Sequence, residues 1–230
     1  MSAPTYADLV VHGGTVVNAG GSGPATVVVS GGRIVAVQDP SLPLPPHDRA
    51  IDATGSLVVP GGVDPHCHIG QRLGEYAQLD DYESASIAAL WGGTTTVIDF
   101  AIPDPGQRPI DAVHERRKLA EISRCDTALH GCVIDWDDST SAQIAEMANT
   151  GVRTIKLFTT YKDVVMAGPD TVLEVLRTLH AQGGIAYVHA EANHVIEDAQ
   201  ALAVAAGEAA AGHMPRTRPE LAEASAVSQV

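Results

Sequence analysis

From Leu57 to the end of the chain, short β-branched and apolar runs alternate with stretches of helical periodicity, and this alternation admits few architectures. Strands joined through a helix lie parallel, because the connection must cross over before the chain can re-enter the sheet in the same direction. The pattern predicts strands over Leu57–Val63, Thr94–Phe100, Thr127–Ile134, Arg153–Phe158 and Ile185–His189. Helices are predicted near Asp80–Leu90, Gln107–Arg124, Ser141–Asn149, Asp170–Gln182 and Asn193–Ala211. This is the grammar of an α/β fold of the (β/α)8 barrel type. A full barrel needs eight units and about 250 residues. Residues 57–230 supply about five units, so the expectation is an incomplete barrel.

Residues 1–56 read differently. Asp8–His12, Thr15–Asn18, Thr26–Ser30 and Arg33–Val37 are short strand-like runs broken by Gly13-Gly14, Gly20-Gly21 and Gly31-Gly32. Paired glycines supply the positive φ of tight hairpins, so these runs predict a small antiparallel sheet module, with Pro40–Pro46 as its main loop.

Charge narrows the partners. With 28 acidic against 14 basic residues the formal charge is −14, which repels phosphate backbones and anionic membrane surfaces. A small-molecule substrate is expected, with neither nucleic acid nor membrane as partner. No apolar run approaches the roughly 20 residues of a membrane-spanning helix. Cys67, Cys125 and Cys132 are odd in number and lack metal-finger spacing, and the N-terminus lacks a basic-then-apolar signal pattern. A reducing, cytoplasmic setting is the expectation.

In parallel α/β folds chemistry gathers at the carboxyl ends of strands. The run Pro60-Gly61-Gly62-Val63-Asp64-Pro65-His66-Cys67-His68 puts two histidines there, and the two-residue strand period turns both to one side with Cys67 away from them. Paired imidazoles are common metal ligands; Cys67 reads as a small packed thiol. Lys156 lies among apolar neighbours in Thr154-Ile155-Lys156-Leu157-Phe158, where an unpaired ammonium is costly. Snorkelling to the surface, a salt bridge, or reaction with carbon dioxide to give a metal-bridging carbamate would each resolve that charge, and spacing alone favours the first. Tyr161, five residues on, is a candidate hydroxyl for the same mouth, and His189 in Val188-His189-Ala190-Glu191 is a third strand-end histidine. Taken singly, Tyr161 reads as a packing group and His189 as a satisfied core residue; their convergence with the other strand ends makes them candidates. Asp99 reads as a structural hydrogen-bond acceptor, and the other seven histidines (His12, His47, His114, His130, His180, His194 and His213) as structural.

These segments, together with Gly92-Gly93-Thr94-Thr95-Thr96-Val97-Ile98-Asp99-Phe100 and Ile155-Lys156-Leu157-Phe158-Thr159-Thr160-Tyr161-Lys162, resemble the cyclic amidohydrolases of the hydantoinase and dihydropyrimidinase branch. The resemblance covers nearly all of the chain. It implies an N-terminal portion: part of a small β-sandwich domain over 1–56 and the first part of a metal-dependent barrel over 57–230. It further implies a hydrolase that opens hydantoin or dihydropyrimidine rings by attack of a zinc-bridging hydroxide. His66 and His68 would bind one zinc, carbamylated Lys156 would bridge two, His189 would bind the other, Tyr161 would hydrogen-bond the oxyanion, and Phe158 would line the ring-substituent pocket. A homo-oligomer, dimer or tetramer, would follow for the complete protein.

The chain departs from that pattern in two ways. Ala192 stands between the His189-Ala190-Glu191 triplet and Asn193, where the family carries asparagine directly. A further histidine ligand and the catalytic aspartate, which family members carry later, find no counterpart before Val230, so the 230 residues are expected to be a truncated portion, inactive alone. Allantoinase-like and dihydroorotase-like hydrolases are the alternatives within the enzyme class, disfavoured by the Lys156-to-Tyr161 spacing. A noncatalytic metal-binding or assembly relative is the alternative outside it.

Overall fold

The computed structural model describes residues 6–73 and 76–230, and the chain separates into two compact units, Met1–Gly61 and Gly62–Val230. Among the described residues the first unit holds seven strands: β1 (Ala7–His12), β2 (Thr15–Asn18), β3 (Gly21–Pro24), β4 (Thr26–Ser30), β5 (Arg33–Gln38), β6 (His47–Asp52) and β7 (Leu57–Val58). They form two sheets, ordered β5-β4-β1-β6 and β3-β2-β7. The β4–β5 hairpin turns through Gly31 and Gly32, both at positive φ, as a two-residue loop demands. The module is not wholly antiparallel, which corrects the expectation: β1 pairs with β6, and β2 with β7, in parallel. β6 escapes a hydropathy reading because its sequence, His-Asp-Arg-Ala-Ile-Asp, is mostly polar and nearly all exposed.

The second unit is a curled five-stranded parallel sheet in sequential order, with helices on its outer side. Its strands are β8 (Gly62–Cys67), β11 (Thr94–Ala101), β12 (Asp126–Cys132), β13 (Thr154–Phe158) and β14 (Ile185–His189); a short hairpin of β9 (Arg72–Leu73) and β10 (Tyr76–Ala77) follows β8. The expected strand Leu57–Val63 is divided. Pro60 has no N–H to donate, so Leu57–Val58 pairs with β2 and the sheet strand starts afresh at Gly62.

The helices are α1 (Tyr82–Trp91), α2 (Pro109–Leu119), α3 (Thr140–Asn149), α4 (Pro169–Gln182), α5 (Asn193–Ala205) and α6 (Glu220–Gln229). α1 opens on a capping box in which Asp81 accepts from the Ser84 N–H at 2.9 Å and Ser84 accepts from the Asp81 N–H at 3.1 Å. α4 closes on Gly183 in the left-handed conformation. Two expected helices end early: α2 tightens into a 3-10 turn over Ala120–Ile122, and α5 stops at Ala205, well short of Ala211. α6, in the alanine-rich tail, is an addition to the predicted elements. No helix among the described residues is long and apolar enough to cross a membrane.

Strand alternation divides the sheet's two faces. Leu129, Val133, Ile155 and Leu157 point outward into the main core, against Ile110, Val113, Ile144, Met147, Val175 and Leu179 of the helices. Burial of each such side chain contributes roughly 1.5–3 kcal/mol.

One charge is buried on the helix side. Asp99 is fully buried, accepts from the Tyr82 hydroxyl at 2.5 Å and from Arg116 Nε at 2.8 Å, and forms an ion pair with that guanidinium at 2.6 Å. Arg116 also donates to the Ile69 carbonyl, so one carboxylate ties β11, α1, α2 and the segment after β8 together. Asp99 is thus structural, as the sequence suggested. Arg116→Met would strand the carboxylate without its cation and is expected to cost about 3–5 kcal/mol in urea unfolding. Tyr82→Phe, which removes one donor to a charged acceptor, is expected to cost about 1.5–3 kcal/mol.

Candidate active site

The inner face of the sheet carries the opposite residues of each strand. Register sets neighbours side by side: Phe100 with His130, Cys132 with Lys156, Lys156 with Tyr187, and Phe158 with His189. His66 and His68 enter from β8 and the residue just beyond it. The curl is tight enough that His66, on one edge strand, and Tyr187, on the other, have ring centroids 5.7 Å apart.

Phe100 is the floor of this concavity. Fully buried, its ring centroid lies 4.6 Å from that of His66, 4.9 Å from His68 and 4.6 Å from His130. The Lys156 ammonium stands over the same ring at 5.3 Å and over the Phe158 ring at 4.8 Å. On the far side Phe158, Tyr161 and His189 form a second group, with the Tyr161 and His189 centroids 5.3 Å apart and Phe158 and His189 at 5.8 Å. All six candidate residues therefore meet on one face. His66 is exposed, His68 half-buried and Tyr161 part-exposed at the rim.

Lys156 is 3% exposed, and among the described residues no carboxylate pairs with it. Its environment is a set of aromatic faces and the buried Cys132 thiol, and among the described residues no ion pair answers its charge. Burial holds the amine below the usual lysine range and pushes the Cys132 thiol up to about 12. Partial desolvation at the open face, helped by the nearby Lys156 cation, also holds His66 below the usual imidazole range, and burial does the same for His68. Cys67 is pushed up to about 12 chiefly by burial, in keeping with a packed, unreactive thiol.

Three features of the site went unread in the sequence. His130 bonds Pro65 O through Nε2 at 2.9 Å and the Thr154 hydroxyl through Nδ1, so it pins the residue before His66 from β12. Phe100 and Tyr187 pave the floor, and only the two-residue period counted from Lys156 across the register could have found them. Glu191 binds His189 Nε2 at 2.6 Å.

Among the described residues no three His, Cys, Asp or Glu side chains stand together in the manner of a metal site. The donors present are two imidazoles, a third across the face, and an amine. His68 Nδ1 is buried without a hydrogen-bond partner, a cost that a bound cation would remove. The Lys156 amine, also uncompensated, would become an anionic oxygen donor as a carbamate. This set fits a metal centre if Lys156 is carbamylated.

A model of the amidohydrolase family matches residues 57–217, which is most of the second unit and most of the chain. The chain belongs to the amidohydrolase family. Among curated amidohydrolase relatives, a dihydropyrimidinase of Rattus norvegicus is 36% identical over 225 residues, covering 95% of this chain and 43% of the relative. Dihydropyrimidinase-related protein 5 of Homo sapiens is 34% identical over 224 residues, with 96% and 40% covered. Among solved structures a D-hydantoinase superposes with TM-score 0.92 at 30% identity, over 96% of this chain and 48% of that one. The amidohydrolase chain thus spans less than half the length of these proteins.

The amine makes a direct stability prediction. A lysine whose folded pKa lies below its unfolded value of about 10.4 penalises the fold fully below the folded pKa, and the penalty vanishes as pH rises past the unfolded one. In metal-free, carbon-dioxide-free buffer, Lys156→Met is expected to be more stable than wild type near pH 7. The gap should shrink toward pH 10 in paired urea melts. A gap independent of pH would show that the amine is not desolvated.

Proposed function

We propose that these residues line the site of a metal-dependent hydrolase that opens cyclic amide or ureide rings of the hydantoin and dihydropyrimidine type. The observation that carries the reading is Lys156, buried without an anion beside the orphaned Nδ1 of His68 and on the same inner face as His189 and Tyr161. The names of the relatives above point the same way.

In this reading His66 and His68 would hold one zinc, His189 a second, and carbamylated Lys156 would contribute to both. The neutral Lys156 amine would add to carbon dioxide: an N–C bond forms as one C=O π bond breaks, the nitrogen loses a proton to solvent, and a monoanionic carbamate replaces a cation that has no paired anion. Bound zinc would supply Lewis-acid polarisation of a ring carbonyl and a water ionised near neutral pH. Tyr161 donates its hydroxyl to the carbonyl oxygen as charge develops there, and Phe158 packs against the ring substituent. Tyr161 has a backbone φ of +67°, a conformation costly for a tyrosine, and its carbonyl accepts from the N–H groups of Val164, Val165 and Met166 at 3.1, 3.1 and 3.3 Å. Strain held in this way is characteristic of a side chain placed for use. Three free cysteines and the acidic charge suit a protein of a reducing compartment acting on small molecules.

Any form of the protein active on dihydrouracil or hydantoin, grown with zinc and 13C-bicarbonate, is expected to retain zinc through gel filtration and to show a 13C carbamate resonance. Both should be lost in Lys156→Ala. Equal zinc content in the variant, or no carbamate in wild type, would overturn the bridging role. In any form of the protein active on dihydrouracil or hydantoin, Tyr161→Phe is expected to lower kcat by about 10²–10³-fold with a smaller change in KM. An unchanged kcat would return Tyr161 to packing.

A further inference from the structure

The pairing of β8 with β11 slips at the very place where two candidate ligands stand, and the slip decides which way they face. Val97 lies opposite Asp64 and Asp99 opposite Cys67, so Pro65 and His66 together stand against the single residue Ile98. Two residues against one is a β-bulge. Val97 and Asp99 both turn to the helix side, where Val97 packs in a cluster with Tyr82 of α1 and Asp99 accepts from the Tyr82 hydroxyl. Register partners share a face, so Asp64 belongs to that side, and an unbroken two-residue period would have carried His66 and His68 there with it. The extra residue reverses the alternation. Cys67 joins the helix-side cluster, and the two imidazoles turn into the concavity against Phe100.

A bulge disrupts the ladder locally, and here two side chains take hold of the peptide at its centre. The Pro65 carbonyl accepts from His130 Nε2 at 2.9 Å, and the His66 N–H donates to Asp64 Oδ1 at 3.0 Å. These are the two polar groups of one peptide plane, the plane that leads into His66. A carbonyl only accepts, so His130 carries a proton on Nε2, while its Nδ1 meets the Thr154 hydroxyl. The His130 ring is buried and packs against Phe100 and Tyr187, at centroid distances of 4.6 and 5.2 Å. Thr154 stands two residues before Lys156 and so on the same face of β13. One chain of contacts thus runs from the strand that carries Lys156, through His130 of β12, to the peptide that carries His66.

We propose that His130 and Asp64 are positioning residues: they clamp the Pro65–His66 peptide, hold the bulge in place, and so keep His66 and His68 on the concave face with Lys156 instead of under α1. The metal half of this rests on His66 and His68 being ligands, as in the reading above. The bulge half does not. Groups that orient a metal's ligands typically change its affinity by about 10–100-fold when removed.

The test uses a form of the protein active on dihydrouracil or hydantoin. Zinc affinity is read by chelator competition, and backbone opening by hydrogen exchange of the metal-free protein, resolved by mass spectrometry to residues 62–68. His130→Phe keeps a ring in the packing and removes both hydrogen bonds. It is expected to weaken zinc binding about 10–100-fold and to speed exchange in 62–68, with β12 and β13 exchanging as in wild type. His130→Gln, whose amide N–H still reaches toward the carbonyl, should restore part of both. Thr154→Val, which removes only the partner of Nδ1, should produce a smaller change of the same sign. Asp64→Ala should act in the same direction and more weakly, because Asp64 is exposed and water takes its place. Wild-type exchange in His130→Phe, or exchange that rises equally in every strand, would overturn the clamp. Faster exchange in 62–68 with unchanged zinc affinity would overturn the positioning of the ligands. If His66→Ala binds zinc as tightly as wild type, the ligand reading of His66 fails, and exchange in 62–68 still decides the clamp.

Discussion

The two-residue period of a strand in a parallel sheet governs the rest of this molecule. In β13, Ile155 and Leu157 must face the helices and Lys156 and Phe158 must face the concavity, and no side chain can change sides without dragging its neighbours with it. Repeated through β11, β12 and β14, the same rule sends Leu129 and Val133 outward and Phe100, His130, Cys132, Tyr187 and His189 inward. The packing that stabilises the outer face is thus what assembles the inner one. A one-residue slip in β12, β13 or β14 would bury a histidine or lysine in the helix layer.

The two faces answer the problem of a buried charge in opposite ways. On the helix side Asp99 is fully compensated by Arg116, Tyr82 and its own neighbour's N–H, and it serves to tie elements together. On the concave side Lys156 has aromatic faces and a thiol for company, and no anion. The fold thus satisfies the buried Asp99 with three partners and leaves Lys156, two strands away on the opposite face, without an anion among the described residues. The uncompensated Nδ1 of His68 belongs to the same pattern.

Much of this was legible in the residues. The order of strands and helices from Thr94 onward follows from periodicity, because each apolar run is long enough to show its period. His66, His68, Lys156 and His189 could be placed at strand ends, since strand ends are set locally. What stayed hidden depends on distant pairing. The break between β7 and β8 follows from which partner each half finds, and polar β6 is a strand only because β1 offers it an edge. The contacts of His130, and the pairing of Glu191 with Arg218, require register and loop geometry: Arg218 lies 27 positions from Glu191, and nothing in either segment announces the other.

The central claim is that strand alternation on the concave face builds a metal centre around a carbamylated Lys156. Anomalous diffraction at the zinc edge, on crystals of a form of the protein active on dihydrouracil or hydantoin and grown with zinc and bicarbonate, tests it most directly. The account predicts anomalous peaks bounded by His66, His68, Lys156 and His189, with density for a carboxylate continuous with the Lys156 nitrogen. Peaks confined to other parts of the surface, or a bare Lys156 amine beside an empty concavity, would contradict it.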